Sequence, residues 1–281
     1  MPSSTSQFTI LGASGFIGSA LAASLRAHGH EVFAPARADP AVFQRRLGHV
    51  IYCIGMTADF RSKPFETVDA HVGVLAEVLA RARFDSLLYL SSTRVYGNAA
   101  RACEDAQLLV NPNDPSDLYN LSKLTGEALC RSCGKQGVRV ARLSNVVGPD
   151  PDSPNFLSSL VREALAGRIE LRSDPASAKD YVLLDDVVDL LPAIAVAGEQ
   201  WLYNVASGAA ISHAQLVSRL VSLTGCQSAV VPGSPRFDFP EIDIARIRTE
   251  FRFTPSPVLD RLPRLVDALR RHLAPSPQAL E

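Results

Sequence analysis

Apolar residues in the first half of the chain fall into short runs, separated by stretches whose apolar positions recur at helical spacing. FTIL (8–11), EVFAPA (31–36), HVIYCIG (49–55), SLLYLSS (86–92) and VRVARLS (138–144) read as strands. Their near-continuous apolar character suits strands covered on both faces. Ile17, Leu21 and Leu25 form a helical stripe that Gly29 ends, and Val68, Val72, Leu75 and Leu79 form another. Strands alternating with helices in this way predict an α/β fold with a parallel sheet.

Beyond residue 149 the pattern loosens. Pro149, Pro151 and Pro154 mark a change of direction, FLSSLVREAL predicts a helix, and YVLL and WLYNVAS predict two further strands. Helices are expected at 213–224 and 258–272, and the terminal APSPQALE reads as frayed or tag-derived.

Composition narrows the classes. The 281 residues are 47% apolar, enough for a full core, and 28 Lys and Arg against 29 Asp and Glu leave no field of one sign to attract nucleic acid or a membrane surface. MPSSTSQFTI lacks a basic region followed by an apolar run, and no stretch of eighteen apolar residues occurs. The expectation is a soluble cytoplasmic protein that binds neither nucleic acid nor membrane. Five cysteines without a secretion signal predict reduced thiols. Cys130 and Cys133 form a C-x-x-C inside a helical pattern with no second pair nearby, so no metal site is expected.

LGASGFIG places Gly12, Gly15 and Gly18 between a predicted strand and a predicted helix. Gly12 suits a tight turn, Gly15 lets backbone approach a pyrophosphate, and Gly18 lets helix and strand pack closely. With Ser14, Phe16 and Ile17 between them, they form a candidate dinucleotide loop, the pyrophosphate resting on the helix N-terminus. The second strand ends Pro35, Ala36, Arg37, with no carboxylate for a ribose 2′-hydroxyl. That favours NADP(H), with Arg37 on the 2′-phosphate, over NAD(H). The alternative leaves Arg37 in solvent and gives the acidic role to Asp39.

YNLSK sets Tyr119 four residues before Lys123, on one face of a helix. A phenol with a reference pKa of about 10 needs a neighbouring cation to act near neutrality. Lys123 can supply it while bonding the coenzyme ribose, and Tyr119 can exchange a proton with a carbinol or carbonyl oxygen.

SSTRVYG (91–97), RLSNVVGP (142–149), KDYVLLDDV (179–187) and YNVASG (203–208) accompany LGASGFIG and YNLSK in register. Together they resemble the extended short-chain dehydrogenase/reductases, in particular the nucleotide-sugar epimerases, dehydratases and ketoreductases. The resemblance implies a Rossmann-type doubly wound sheet over residues 1–148, rejoined by strands near 181–206, with 149–281 mainly a substrate lobe. It implies Ser92, Tyr119 and Lys123 as the catalytic set, and Ser92, Thr93, Asn145, Lys179 and Arg236 toward the substrate. The last two would meet a sugar-nucleotide diphosphate, unless they are plain surface charges. A homodimer is implied as well, through the Tyr119 helix and its neighbour, with Leu121, Leu124, Ala128 and Leu129 as apolar surface.

Departures refine the expectation. Eleven residues between Arg37 and His49 leave no room for the usual extra strand, so one edge strand should be missing. His71 replaces the usual Asn and is read as a packed histidine. Thr93 and Arg94 stand where the resembling dehydratases carry an Asp-Glu pair, which argues against dehydration. The expected activity is reduction of, or epimerisation through, a 4-keto-hexose on a nucleotide. The alternatives are an NADPH-dependent reductase of a small ketone or aldehyde, and a non-catalytic NADP sensor.

Overall fold

The computed structural model describes residues 5–56, 59–97 and 99–273; the APSPQALE segment lies outside the described residues. A six-stranded parallel sheet runs β2-β1-β3-β4-β5-β9, built from β1 (Gln7–Leu11), β2 (Glu31–Phe33), β3 (His49–Tyr52), β4 (Ser86–Ser92), β5 (Val138–Leu143) and β9 (Leu202–Val205). The connections divide between the two faces of the sheet. Helices α1 (Phe16–Ala27) and α7 (Leu184–Ala197) pack together over one face, and α4 (Val74–Arg81) and α5 (Leu118–Ser132) over the other. The parallel sheet is the one that the alternating pattern predicts, and its doubly wound arrangement is the one that the family resemblance implies. Residues between β2 and β3 carry only the short α2 (Ala41–Gln44), so β2 is the edge.

Two apolar layers enclose the sheet. Phe8, Ile10, Leu88 and Tyr203 join Leu21, Leu25, Val187 and Leu191 on the α1/α7 side. Val50, Tyr52, Leu87 and Tyr89 join Leu75, Leu79 and Cys130 on the other. Residues of β4 point alternately into the two layers, which explains why SLLYLSS shows no polar alternation. A third cluster forms the core of the C-terminal segments. It unites α6 (Phe156–Leu165), α8 (His213–Thr224) and α10 (Val258–Leu273) through Leu160, Leu216, Leu220 and Leu265. A reciprocal Ser212/Gln215 cap starts α8 and Gly225 in the left-handed region ends it, which bounds the helix expected at 213–224.

Two expectations are corrected. The strand near 181, β8 (Ala178–Leu183), does not rejoin the main sheet. It pairs with β6 (Asn145–Val147) and β10 (Ala210–Ser212) in a separate three-stranded sheet, and only β9 returns. The local pattern of YVLL says that it is a strand but carries no information about its partner. The second correction concerns the helical stripe at 68–79. α3 (Pro64–Val68) passes through one π turn (Asp69–Gly73) into α4. The wider turn rotates the first half of the helix, so Thr67 and His71 are buried and Val68 is exposed.

Candidate active site

The C-terminal ends of β1 and β3 diverge where the strand order reverses, the crevice in which open α/β sheets bind ligands. A cleft of about 1080 Å³ opens there. Gly15, Phe16, Ile17 and Gly18 line it at one end, Ser92, Thr93, Tyr119 and Lys123 along its floor, and Asn145, Lys179 and Arg236 on the side of the C-terminal segments. Gly12, Ser14 and Arg37 are not in its lining.

The glycine loop separates two requirements. Gly12 has φ +88°, and a Cβ there would lie 2.9 Å from the Ile54 nitrogen; at Gly18 a Cβ would collide with the Gly12 carbonyl. The fold itself demands both. Gly15 has φ −83°, and its Cβ would meet nothing nearer than the Gly12 oxygen at 3.5 Å, yet it faces the cleft. No internal contact explains a glycine there. Gly15 caps α1 without a side-chain bond, and no acidic residue occupies the first turn, so the free N–H groups and the positive end of the helix face the cavity. A coenzyme pyrophosphate fits this cradle.

The floor is built by α5 against β4. Tyr119 and Lys123 are both nearly fully buried, one helical turn apart. Burial raises the Tyr119 pKa, while the Ser92 hydroxyl and the Arg94 guanidinium oppose that rise. Ser92 Oγ accepts the Arg94 N–H at 3.2 Å, capping the short helix Thr93–Tyr96, and its own hydroxyl hydrogen is left to donate toward the Tyr119 phenol beside it. The Lys123 ammonium donates to the Leu90 carbonyl at 2.9 Å. Burial pulls its pKa down to about 7, against the pull of Glu127 and Cys53.

His71 is buried but is more than a packed ring. Nε2 accepts the Met56 N–H at 3.2 Å, so Nδ1 carries the proton and donates to Ser122 Oγ at 2.8 Å. Ser122 Oγ donates in turn to the Tyr119 carbonyl at 3.0 Å. Burial and the Lys123 charge hold the ring neutral, with a pKa near 3. His71 therefore ties the loop after β3 to the first turn of α5. The π turn places it there, and Tyr52 and Tyr89 donate to the carbonyls of Ala70 and His71 within that turn.

The other sequence candidates differ in how they are held. Asn145 donates to the Asp180 carbonyl at 2.8 Å beside the cleft. Thr93 is buried in the wall. Arg236 lies at the margin, paired with Asp238 at 2.9 Å. Lys179 is half-buried, with Phe156 and Phe239 at 5.7 and 5.9 Å from its Nζ. Arg37 is exposed, and the Asp39 carboxylate accepts the Ala41 N–H at 2.9 Å. Leu124 and Leu129 pack partly onto the core, leaving less apolar surface on α5 than the sequence suggests. Cys133 donates to the Cys130 carbonyl, and among the described residues no three potential metal ligands converge. No helix among them is long and apolar enough to cross a membrane.

Four residues of the site are not among the sequence candidates for binding: Arg94, noted there only for the carboxylate it replaces, and Asn120, Ser144 and Tyr181. Arg94 projects over the Phe60 and Tyr119 rings, 4.8 and 5.3 Å from their centroids. An arginine next to a serine at a strand end is the signal that could have found it. Asn120 Oδ1, Ser144 Oγ and Tyr181 Oη are buried with no partner among the described residues, and all three residues line the cleft. Buried polar atoms without partners are costly, so these mark places for ligand groups or water.

A family model described as NAD dependent epimerase/dehydratase matches residues 8–206. Among known proteins, GDP-6-deoxy-D-mannose reductase of Pseudomonas aeruginosa is 27% identical over 263 residues, covering 83% of this chain and 84% of that one. The dTDP-6-deoxy-L-talose 4-dehydrogenase (NAD(P)+) of Kitasatospora kifunensis is 27% identical over 290 residues, covering 88% and 90%. Among solved structures, MoeE5 in complex with UDP-glucose and NAD superposes with a TM-score of 0.81 at 24% identity, covering 95% of this chain and all of that one. RMD from Pseudomonas aeruginosa, complexed with NADPH, gives 0.77 at 24% identity over the same shares. These two likenesses speak to the fold.

Proposed function

This chain belongs to the NAD-dependent epimerase/dehydratase family of extended short-chain dehydrogenase/reductases, and on that premise we propose that it reduces, or epimerises through, a 4-keto-hexose carried on a nucleotide, with Tyr119 as the acid/base group. The observation that carries the proposal is the meeting of Ser92, Tyr119 and Lys123 on the floor of the cleft into which the α1 N-terminus opens. The nicotinamide coenzyme, when bound, supplies and accepts the hydride.

Gly15, Phe16 and Ile17 hold the coenzyme pyrophosphate through backbone N–H groups, and Lys123 holds its ribose. Ser92 donates its hydroxyl hydrogen to the substrate oxygen and fixes it beside the Tyr119 phenol. Tyr119 gives that oxygen a proton on reduction and takes one on oxidation. The Lys123 ammonium lowers the cost of the phenolate. Thr93 and Asn145 contact the sugar, and Lys179 and Arg236 contact the diphosphate, Arg236 by exchanging Asp238 for phosphate oxygens.

Arg37 tilts the reading toward NADP(H) and net reduction. It has no partner among the described residues, whereas one Asp39 carboxylate oxygen accepts the Ala41 N–H. Arg37→Ala is expected to weaken NADPH by about 10- to 150-fold, the value of one charge-assisted bond, with NADH unchanged. A homodimer through α5 and the preceding helix is part of the proposal: Phe65 and Val68 are exposed on α3, which packs against α5.

The test of the reaction is consumption of NADPH with nucleotide-linked 4-keto-hexoses and with small ketones. The proposal expects turnover with the former. Turnover with small ketones alone would favour the smaller substrate class, and coenzyme binding without turnover of either would favour a sensor.

A further inference from the structure

Cations and carboxylates both line the cleft, and one of the cations stands beside the Tyr119 ring with neither a hydrogen bond nor an ion pair among the described residues. Arg61, Arg94, Lys123, Lys179 and Arg236 all line it. Arg236 is paired with Asp238, Arg61 donates to Ser116 Oγ at 3.2 Å, and Lys123 donates to Leu90. The Arg94 side chain has neither a hydrogen bond nor an ion pair among the described residues, although it is half-buried. Two carboxylates stand in its vicinity, and both are engaged: Asp114 accepts the Ser116 N–H, and Asp117 accepts from the Asn111 N–H and the Asn120 amide. Desolvation and the Arg61 charge outweigh the support that Tyr119, Asp117 and Asp114 give the Arg94 cation, and Lys179, which has no ion pair among the described residues, adds to the same positive field.

A guanidinium kept half out of water without a counter-ion is costly unless an incoming anion pairs with it. Its position tells which anion. The guanidinium carbon lies 5.3 Å from the centre of the Tyr119 ring, on the floor where the phenol meets the reacting oxygen. In a hexose reacting at C4, the diphosphate hangs from C1 at the far side of the ring, while the C6 group hangs from C5, next to the reacting carbon. A planar guanidinium also matches a carboxylate in bidentate geometry.

We propose that Arg94 is a receptor for a carboxylate on the sugar, so that the substrate class is a nucleotide-activated hexuronic acid rather than a neutral hexose. The inference rests on the nucleotide-sugar reading above. Lys179 and Arg236 take the diphosphate, and Arg94 takes the second anionic group at the opposite end of the ring.

The test is equilibrium titration of the NADPH-loaded protein, in which an alcohol substrate has no hydride acceptor, with pairs that differ only at C6. Suitable pairs are UDP-glucose and UDP-glucuronate, dTDP-glucose and dTDP-glucuronate, and GDP-mannose and GDP-mannuronate, judged on whichever base binds best. The acid is expected to bind about 10- to 150-fold tighter than its neutral partner, as one charge-assisted bond allows. Arg94→Gln should erase that difference while leaving the neutral sugar and the free nucleoside diphosphate unchanged, and Arg94→Lys should keep part of it. Equal or tighter binding of the neutral sugar, or an equal loss for both sugars in Arg94→Gln, would overturn the inference and leave the nucleotide-sugar reading standing. Failure of every sugar nucleotide to bind, with NADPH titrating normally, would overturn both.

Discussion

Two arginines about fifty residues apart are treated by the fold in opposite ways. Arg142, on β5, is buried with its charge fully answered: it grips Glu127 of α5 through two bonds of 2.9 and 2.6 Å and donates to the Tyr96 hydroxyl at 2.7 Å. Ser91 donates to Glu127 at 2.6 Å, and Tyr96 passes its hydrogen to Asn204 on β9 at 2.9 Å. The network joins β4, β5, β9 and α5 behind the floor of the cleft that carries Ser92 and Tyr119. Arg94, in front of that floor, is half-buried over the Phe60 and Tyr119 rings and has neither a hydrogen bond nor an ion pair among the described residues. A closed network holds elements in register, whereas an open charge in a cleft waits for a ligand. The comparison makes opposite forecasts for the two sides.

The largest effect should come from the front. Tyr119→Phe keeps the ring and its packing but removes the exchanging proton, so turnover should fall about 10²- to 10⁴-fold with stability and coenzyme affinity intact. Steady-state rates beside thermal unfolding check it, and a matching loss of stability would erase the contrast. Behind the floor, Glu127→Gln strands the Arg142 charge in a dry environment and should cost about 3–5 kcal/mol in urea unfolding. Replacing both partners, Glu127→Leu with Arg142→Met, should recover much of that, because the pair's own desolvation cost disappears with it.

Lys123 sits between the two regions, and its effect is pH-dependent. Its folded pKa of about 7 lies below the value of about 10.4 for free lysine, so between these the unfolded chain binds more protons than the folded one. Stability of the coenzyme-free protein should therefore rise as pH increases from about 7 to 10, by at most about 1.4 kcal/mol per pH unit. Lys123→Met should flatten that slope, and an unchanged slope in the variant would place its origin elsewhere. The smallest effect is expected at Arg94: Arg94→Gln should leave stability within about 0.5 kcal/mol, because no hydrogen bond or ion pair is lost and relief of the desolvated charge offsets the lost contact with the Phe60 and Tyr119 rings. A loss comparable to Glu127→Gln would show that Arg94 belongs to the structural side after all.

The same contrast explains what could be read from the sequence. Periodicity locates β4 at 86–92 and α8 at 213–224, because those segments are defined by their own residues. Spacing alone puts Tyr119 and Lys123 on one helix face, and counting residues removes the edge strand beyond β2. Features set by distant partners were not legible. The pairing of β8 with β6 and β10 is decided by the second sheet rather than by YVLL. The π turn that buries His71 and exposes Val68 inserts no marker that a 3.6-residue stripe would reveal. Arg142 and Arg94 are both arginines near a strand end, and only the presence of Glu127 opposite one of them tells the two apart.

The account stands on hydride passing between the coenzyme and a sugar carbon above Tyr119. The most direct measurement is a single turnover of the wild-type protein with NADPH deuterated at the transferring position and a nucleotide-linked 4-keto-hexose, followed by mass and proton spectra of the sugar. The account predicts one deuterium at C4 of the product hexose, delivered to one face of the ring, with the nicotinamide absorbance lost in equal amount. Oxidised coenzyme with no deuterium in the sugar, or no loss of absorbance with any such substrate while NADPH remains bound, would contradict it.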